Sequence, residues 1–206
     1  MTTLLLADDD PIILRGLEMI LGTRENFTVL GTAENGEKAV ELCRIHRPDV
    51  ALLDIRMPVM DGIQAAEILL REDWSAPLLL TTFDEPELIG RALDVGARGY
   101  ILKNSPSERI ISAVETVAQG GTVFAPDILD YIRSVARIPA GDFFSGLTSR
   151  EQEIVGWIAK GLSNAQIAEK MFISNGTVRN HVSTILEKTG LEHRTQIAVR
   201  YYAGRV

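Results

Sequence analysis

Leu4-Leu5-Leu6-Ala7-Asp8-Asp9-Asp10-Pro11 decides how the first half of the chain is read. Four apolar residues without a polar interruption suit a strand buried on both faces. Three acids end the run, and Asp10-Pro11 places a capping side chain ahead of a proline at the first helical position. The stretch is a strand running into a helix, with two further carboxylates, Asp8 and Asp9, at the junction. The same pattern recurs downstream. Thr28–Thr32, Val50–Leu53, Leu78–Thr81 and Gly99–Leu102 join Leu4–Ala7 as five strands. Asn35-Gly36-Glu37, Asp61-x-x-Gln64 and Asp84-x-x-Glu87 offer helix starts between them. Ser105-Pro106-Ser107-Glu108 reads as a Ser cap, Pro at the first position and Glu at the third, and Gly120-Gly121 ends that helix. Strand–helix alternation at this spacing gives an α/β fold, a doubly wound (βα)5 parallel sheet with helices on both faces.

The whole chain has 206 residues, a formal charge of −7 and one cysteine, Cys43. The length accommodates one large domain or two small ones. A single cysteine excludes an internal disulfide framework and a Cys-rich zinc site. No apolar run approaches the roughly 18 residues needed to span a bilayer, and the start is unlike a basic signal peptide, so a cytoplasmic protein without a membrane partner is expected. The acidic total speaks against nucleic acid until the chain is divided. Residues 142–206 hold eight basic and six acidic residues, a charge of +2, and the remainder carries −9. Such asymmetry points to two modules with different partners. Residues 121–146, with Pro126, Pro139 and three glycines, form a linker, with a helix over Asp127–Ala136 and a hinge over Arg137–Gly146.

In an open parallel sheet, ligands bind at the carboxyl ends of the strands. Asp8, Asp9 and Asp10 follow the first strand, Asp54 the third, Thr81 and Thr82 end the fourth, and Lys103 follows the fifth. Carboxylates, a hydroxyl and an amine therefore share one sheet edge. Hard oxygen ligands suit Mg²⁺, and a carboxylate beside that ion can attack a phosphoryl group while the ion and Lys103 neutralise its oxygens. Asp10 and Asp61 are accounted for as caps.

Leu4–Asp9, the stretch Leu53-Asp54-Ile55-Arg56-Met57-Pro58-Val59-Met60-Asp61-Gly62, and Gly99-Tyr100-Ile101-Leu102-Lys103 together resemble the receiver domain of bacterial response regulators over about residues 1–120. The resemblance implies a phosphoacceptor at Asp54 and Mg²⁺ held by Asp8, Asp9, Asp54 and the Arg56 backbone carbonyl. It implies a switch hydroxyl at Thr81, a switch aromatic at Tyr100 and a phosphate-contacting Lys103. The sequence departs from many receivers in having Asn104 rather than proline after Lys103. Asp10, where relatives often carry His, adds negative charge beside the pocket.

From Leu147 onward there is no strand pattern, only helices. Ser163–Lys170, a turn at Met171–Ile173, and Ser174–Lys188 fit a helix-turn-helix. Thr148-Ser149-Arg150-Glu151 and Ser163-Asn164-Ala165-Gln166 are capping boxes, Ser174 is a further cap, and Gly190 is a C-cap. Val178, Val182, Ile185 and Leu186 recur at i, i+4, i+7, i+8 and mark a buried stripe. Asn180, Ser183 and Thr184 face the other way, with Arg179 on the flank. Short polar side chains and an arginine suit base edges in the major groove, where Arg favours guanine and Asn adenine. Thr177 and Lys188 at the ends of that helix, and Ser163 and Asn164 at the start of the preceding one, are further candidate DNA contacts. An ordinary amphipathic helix with a solvated polar face has the same spacing. His181 and His193 are surface or packing residues rather than metal ligands.

Leu147–Glu151, Gly161–Ala168 and Thr177–Val182 closely resemble the LuxR-type helix-turn-helix, over about residues 145–206. With the receiver, the chain is identified as a member of the NarL/FixJ-type response regulators. Membership implies a smaller all-α DNA-binding domain, about 147–206, behind the receiver. It implies phosphorylation by a sensor histidine kinase, binding to double-stranded promoter DNA, homodimerisation on activation and RNA polymerase as a further partner. The last helix, about His193–Tyr202, often supports dimerisation in such proteins; Ile197, Tyr201 and Tyr202 fit that role or the domain's own core. On the residues alone, two other functions stand beside transcriptional control. One is a Mg²⁺-dependent phosphatase or phosphotransferase with an Asp nucleophile, for which no substrate cap is evident. The other is a DNA binder whose receiver acts without phosphorylation, which leaves the acidic pocket unexplained.

Overall fold

The computed structural model describes residues 1–82, 86–124 and 143–203. Strands β1 (Thr2–Ala7), β2 (Phe27–Ala33), β3 (Val50–Asp54), β4 (Ala76–Thr81), β5 (Gly99–Leu102) and β6 (Val123–Phe124) form one sheet in the order β2-β1-β3-β4-β5-β6, and every pairing is parallel. Helices α1 (Pro11–Gly22), α2 (Gly36–His46), α3 (Gly62–Arg71), α4 (Pro86–Asp94) and α5 (Ser107–Ala118) alternate with the strands. The apolar runs explain the order. Val50–Asp54 is buried throughout, as a central parallel strand between two helical layers must be. Leu5, Leu53 and Leu79 pack on the α2–α3–α4 side, whereas Leu4, Leu52 and Leu78 pack on the α1–α5 side.

The expected caps are largely in place. Asp10 Oδ1 accepts from the Ile12 amide at 2.8 Å, Asn35 caps α2, and Asp61 with Gln64 forms a reciprocal capping box. Asp84 lies outside the described residues. At α5 the expectation is corrected. The helix begins at Ser107 with Pro106 at the N-cap, whose ring carries no oxygen to cap with, and Ser105 lies one residue earlier in a turn, its amide bonding the Leu102 carbonyl. The first helical bonds run to the Pro106 carbonyl instead. Strand β6 is an addition within the stretch read as linker: Val123 and Phe124 register with Gly99 and Tyr100 at the sheet edge. The linker helix expected at Asp127–Ala136, and most of the hinge, lie outside the described residues.

The C-terminal part is helical: α6 (Ser149–Ala159), α7 (Asn164–Met171), α8 (Asn175–Thr189) and α9 (Arg194–Ala203). Thr148 and Ser163 head capping boxes, Ser174 caps α8, and Gly190 closes it at φ 67°. Its core joins Ile154, Ile158, Ile167, Val178, Val182, Ile185 and Ile197, so Ile197 closes the domain's own core. A half-buried ion pair braces it. Lys188 Nζ lies 2.8 Å from both Glu151 carboxylate oxygens, while Glu151 also caps α6 at the Thr148 amide. The hydrogen bond from Lys188 and the cap hold the Glu151 carboxyl below the usual range. A depressed pKa means that its stabilisation is complete above the ordinary glutamate range and is lost as pH falls through the lowered value. Glu151→Ala removes cap and pair together, and is expected to cost about 1–3 kcal/mol in thermal or urea melts of the helical part.

The two parts touch through α9. Thr195 Oγ1 donates to the Ala97 carbonyl at 2.9 Å, and Gln196 Nε2 reaches the Asp94 carbonyl at 3.4 Å. Gly96, at φ 83°, permits this approach, since a Cβ there would lie 2.4 Å from the His193 ring. Among the described residues no helix is long and apolar enough to cross a membrane.

Candidate functional site

The strand ends deliver the acidic cluster to one place. Asp8 is 0% exposed and Asp54 4%, whereas Asp9 faces solvent. One carboxylate oxygen from each lies within 4.8 Å of the others. Lys103, which follows β5, places Nζ 2.7 Å from Asp8 Oδ2 and 3.0 Å from Asp54 Oδ1. Burial works against the Lys103 charge, but hydrogen bonds to Asp8 and Asp54 outweigh it and raise the ammonium pKa. Burial likewise raises the Asp54 pKa, against the opposing pull of Lys103 and of the Arg56 amide, which donates to its carboxylate. Three carboxylates against one ammonium leave two negative charges in a small volume. That surplus, with hard oxygen donors and an open side at Asp9, fits a divalent cation of the Mg²⁺ class.

Backbone hydrogen bonds fix the segments that carry the cluster. The Ile55 amide bonds the Leu80 carbonyl, the Lys103 amide bonds the Thr81 carbonyl at 2.8 Å, and the Asp10 amide bonds Asp8 Oδ1 at 3.0 Å. The loop after β3 carries Val59 at φ 68°, with the Met60 amide bonded to the Pro58 carbonyl at 2.8 Å. This is the rare γ-turn hand, strained for a β-branched residue. Thr81 is buried at the end of β4. Tyr100 is fully buried on β5, its ring stacked on Phe124 of β6 at 6.4 Å. Among the described residues its hydroxyl has no hydrogen-bond partner, and burial pushes its pKa well up. Leaving a buried hydroxyl unsatisfied costs about 1–3 kcal/mol.

On the helical part, Val178, Val182 and Ile185 face the core, and Arg179, Asn180, Ser183 and Thr177 are exposed. Ser183 Oγ and Thr184 Oγ1 bond back to the carbonyls of Arg179 and Asn180. The other three expected contacts sit differently. Ser163 is 1% exposed, with its hydroxyl spent on the Gln166 amide. Asn164 Oδ1 accepts from Arg194 Nη1 at 2.6 Å. Lys188 is engaged by Glu151. A polar side chain at a helix end looks the same in sequence whether it caps, pairs internally or meets a ligand. Arg194, which bonds both Asn164 and the Leu162 carbonyl, and Tyr202, whose hydroxyl donates to Ala159, were not singled out for these contacts from the sequence. No spacing signal marks them.

Comparison with known proteins accords with this architecture. Residues 4–115 match the response regulator receiver domain family, and residues 145–201 match the bacterial regulatory proteins of the luxR family. The transcriptional regulatory protein LnrK of Bacillus subtilis is 37% identical over 210 residues, covering 97% of this chain and 96% of the relative. DesR of the same organism is 34% identical, with 97% and 96% covered. Among solved structures, the response regulator ChrA of a heme-sensing two-component system aligns at TM-score 0.58 and 33% identity, over 96% of this chain and 94% of that one. The chain thus belongs to the two-component response regulators that join a receiver domain to a LuxR-type DNA-binding domain and control transcription.

Proposed function

We propose that Asp54 is the phosphoacceptor of this regulator and that a sensor histidine kinase is its donor. The Lys103 ammonium, seated 2.7 Å from Asp8 and 3.0 Å from Asp54, is the observation that carries the reading. In the transfer, an Asp54 carboxylate oxygen attacks phosphorus, the P–N bond of a phosphohistidine breaks, and the imidazole leaves with the electron pair. Lys103 moves from pairing with Asp54 to pairing with the new phosphoryl oxygens. Asp8, Asp9, Asp54 and the Arg56 carbonyl would hold Mg²⁺, which supplies charge neutralisation on the transferring oxygens. Thr81 contacts the phosphoryl group, and Tyr100, buried beside β6, couples that change to the far edge of the sheet. In the presence of Mg²⁺ and a small phosphodonor, intact mass should rise by one phosphoryl group per chain. No mass gain with any donor or with a panel of kinases would overturn the reading.

The output is promoter DNA read by α8, with two copies meeting half-sites on one face of the duplex. Arg179, Asn180, Ser183 and Thr177 are the contacts proposed for the groove, with RNA polymerase as a downstream partner. Arg179→Ala should weaken a specific site by about 1–3 kcal/mol through loss of a bidentate base contact. Gel-shift titrations on specific and random duplexes check it: an equal loss on both would reduce Arg179 to a phosphate contact.

A further inference from the structure

A cavity of about 330 Å³ opens between the two parts of the chain. The receiver contributes Gly96 and Arg98, and the helical domain contributes Arg179, His193 and Arg194. Three guanidiniums and an imidazole thus line one space. Glu192 is the lining carboxylate, and none of the three arginines forms an ion pair with it or with any other described residue. Arg194 is 7% exposed; its Nη1 and Nη2 donate to Asn164 and the Leu162 carbonyl, and its Nε has no hydrogen-bond partner among the described residues. Burial pulls the Arg194 guanidinium down to about 10, and the neighbouring charge of Arg98 adds to the fall. Burial lowers the Arg98 pKa as well. Arg98 and Arg194 repel one another; Asp73, which is not among the lining residues, offsets part of the Arg98 charge, and an anion in the cavity would offset more.

We propose that this cavity binds a small phosphate-bearing anion, gripped by Arg98 on one side and by Arg194 and Arg179 on the other. The forks of Arg98 and Arg179 match phosphate oxygens in pairs, and Arg194 adds its Nε–H, which suits a doubly charged oxyanion better than a halide. The volume lies at the small end of ligand sites and favours a compact molecule. Because the two walls come from different domains, the anion joins them. It also engages Arg179, so DNA and anion compete for one side chain. This consequence, though not the binding itself, rests on α8 being the DNA reader.

The test uses the full chain and inorganic phosphate as probe, with a chelator present and without DNA or phosphodonor. Titration calorimetry against chloride at matched ionic strength should give saturable binding near one per chain. Arg98→Gln, on the receiver wall and away from DNA, should weaken binding about tenfold or more, the loss expected for charge-assisted hydrogen bonds. If that variant does not fold, Arg98→Lys keeps the charge, loses the fork, and should still weaken binding several-fold. Scattering measurements should show a more compact chain with phosphate in the wild type alone. Absence of saturable binding overturns the proposal. So does binding that Arg179→Ala abolishes and both Arg98 variants leave intact, which would assign the arginines to the DNA backbone. With no Mg²⁺ and no DNA in the cell, failure of the phosphoacceptor reading would leave the isotherm unchanged.

Discussion

Asp54→Asn should take up no phosphoryl group under conditions in which the wild type gains one, and should lose all phosphodonor-stimulated DNA binding. The amide nitrogen has its lone pair delocalised into the carbonyl, so neither side-chain atom can replace a carboxylate oxygen as nucleophile. The substitution is nearly isosteric at a position 4% exposed, so the fold should survive. It should survive better than the loss of the Lys103 pair suggests. Burial raises the Asp54 pKa above its ordinary 3.8. A carboxyl so raised contributes stability fully below its unfolded value and loses it as pH rises through the folded one. At neutral pH the charged form is therefore a burden that Asn lacks. Melting at pH 7 should be unchanged or slightly higher for the variant, while intact mass shows no adduct. A full adduct on Asp54→Asn would move the acceptor to another carboxylate.

Gly62→Ala should damage fold and site together. Gly62 opens α3 immediately after the loop that follows β3, and its amide bonds the Ile55 carbonyl at 3.0 Å. A Cβ there would lie 2.0 Å from the Asp54 carbonyl oxygen and 2.8 Å from its carbonyl carbon. Both atoms are backbone, so no rotamer change relieves the clash, and either α3 or the end of β3 must shift. Overpacking of this kind costs about 1–3 kcal/mol or somewhat more. For a chain of this size that is a fall in Tm of about 3–10 °C. Because the displaced atoms belong to Asp54 itself, the rate of phosphoryl uptake should fall by about tenfold to a hundredfold, as expected for a misplacement near 1 Å. Scanning calorimetry and timed intact-mass measurements check the two halves. A variant that melts like wild type and labels at the same rate would contradict the close contact.

The receiver was legible in the sequence because each chemical residue stands at a strand end. An apolar run announces the strand, and the next polar residue announces the edge: Asp8 after Leu4–Ala7, Asp54 after Val50–Leu53, Lys103 after Gly99–Leu102. Strand β6 escaped because two residues, Val123 and Phe124, carry no period. Their pairing with Gly99 and Tyr100 depends on tertiary contact with β5 alone. The start of α5 was misplaced by one residue, since Ser105-Pro106-Ser107 offers a cap at either serine, whereas the helix takes Pro106 as its N-cap and leaves Ser105 in the preceding turn. In the helical part, the buried stripe of α8 followed from spacing. The Ser163 capping box followed from its spacing to Gln166 as well, but the employment of Asn164 and Lys188 did not, because Arg194 and Glu151 reach them from 30 and 37 residues away in sequence, distances that no local pattern encodes. The docking of α9 on the receiver rests on Thr195 and Gly96, each unremarkable in its own segment.

The central claim is that phosphoryl transfer ends on Asp54. An acyl phosphate is cleaved by borohydride, which reduces the aspartyl carbonyl to the alcohol and releases phosphate. Peptide mapping of the phosphodonor-treated, borohydride-reduced full chain should therefore find homoserine at position 54, and unmodified Asp8, Asp9 and Asp10. Homoserine at one of those three positions, with Asp54 intact, would contradict the account.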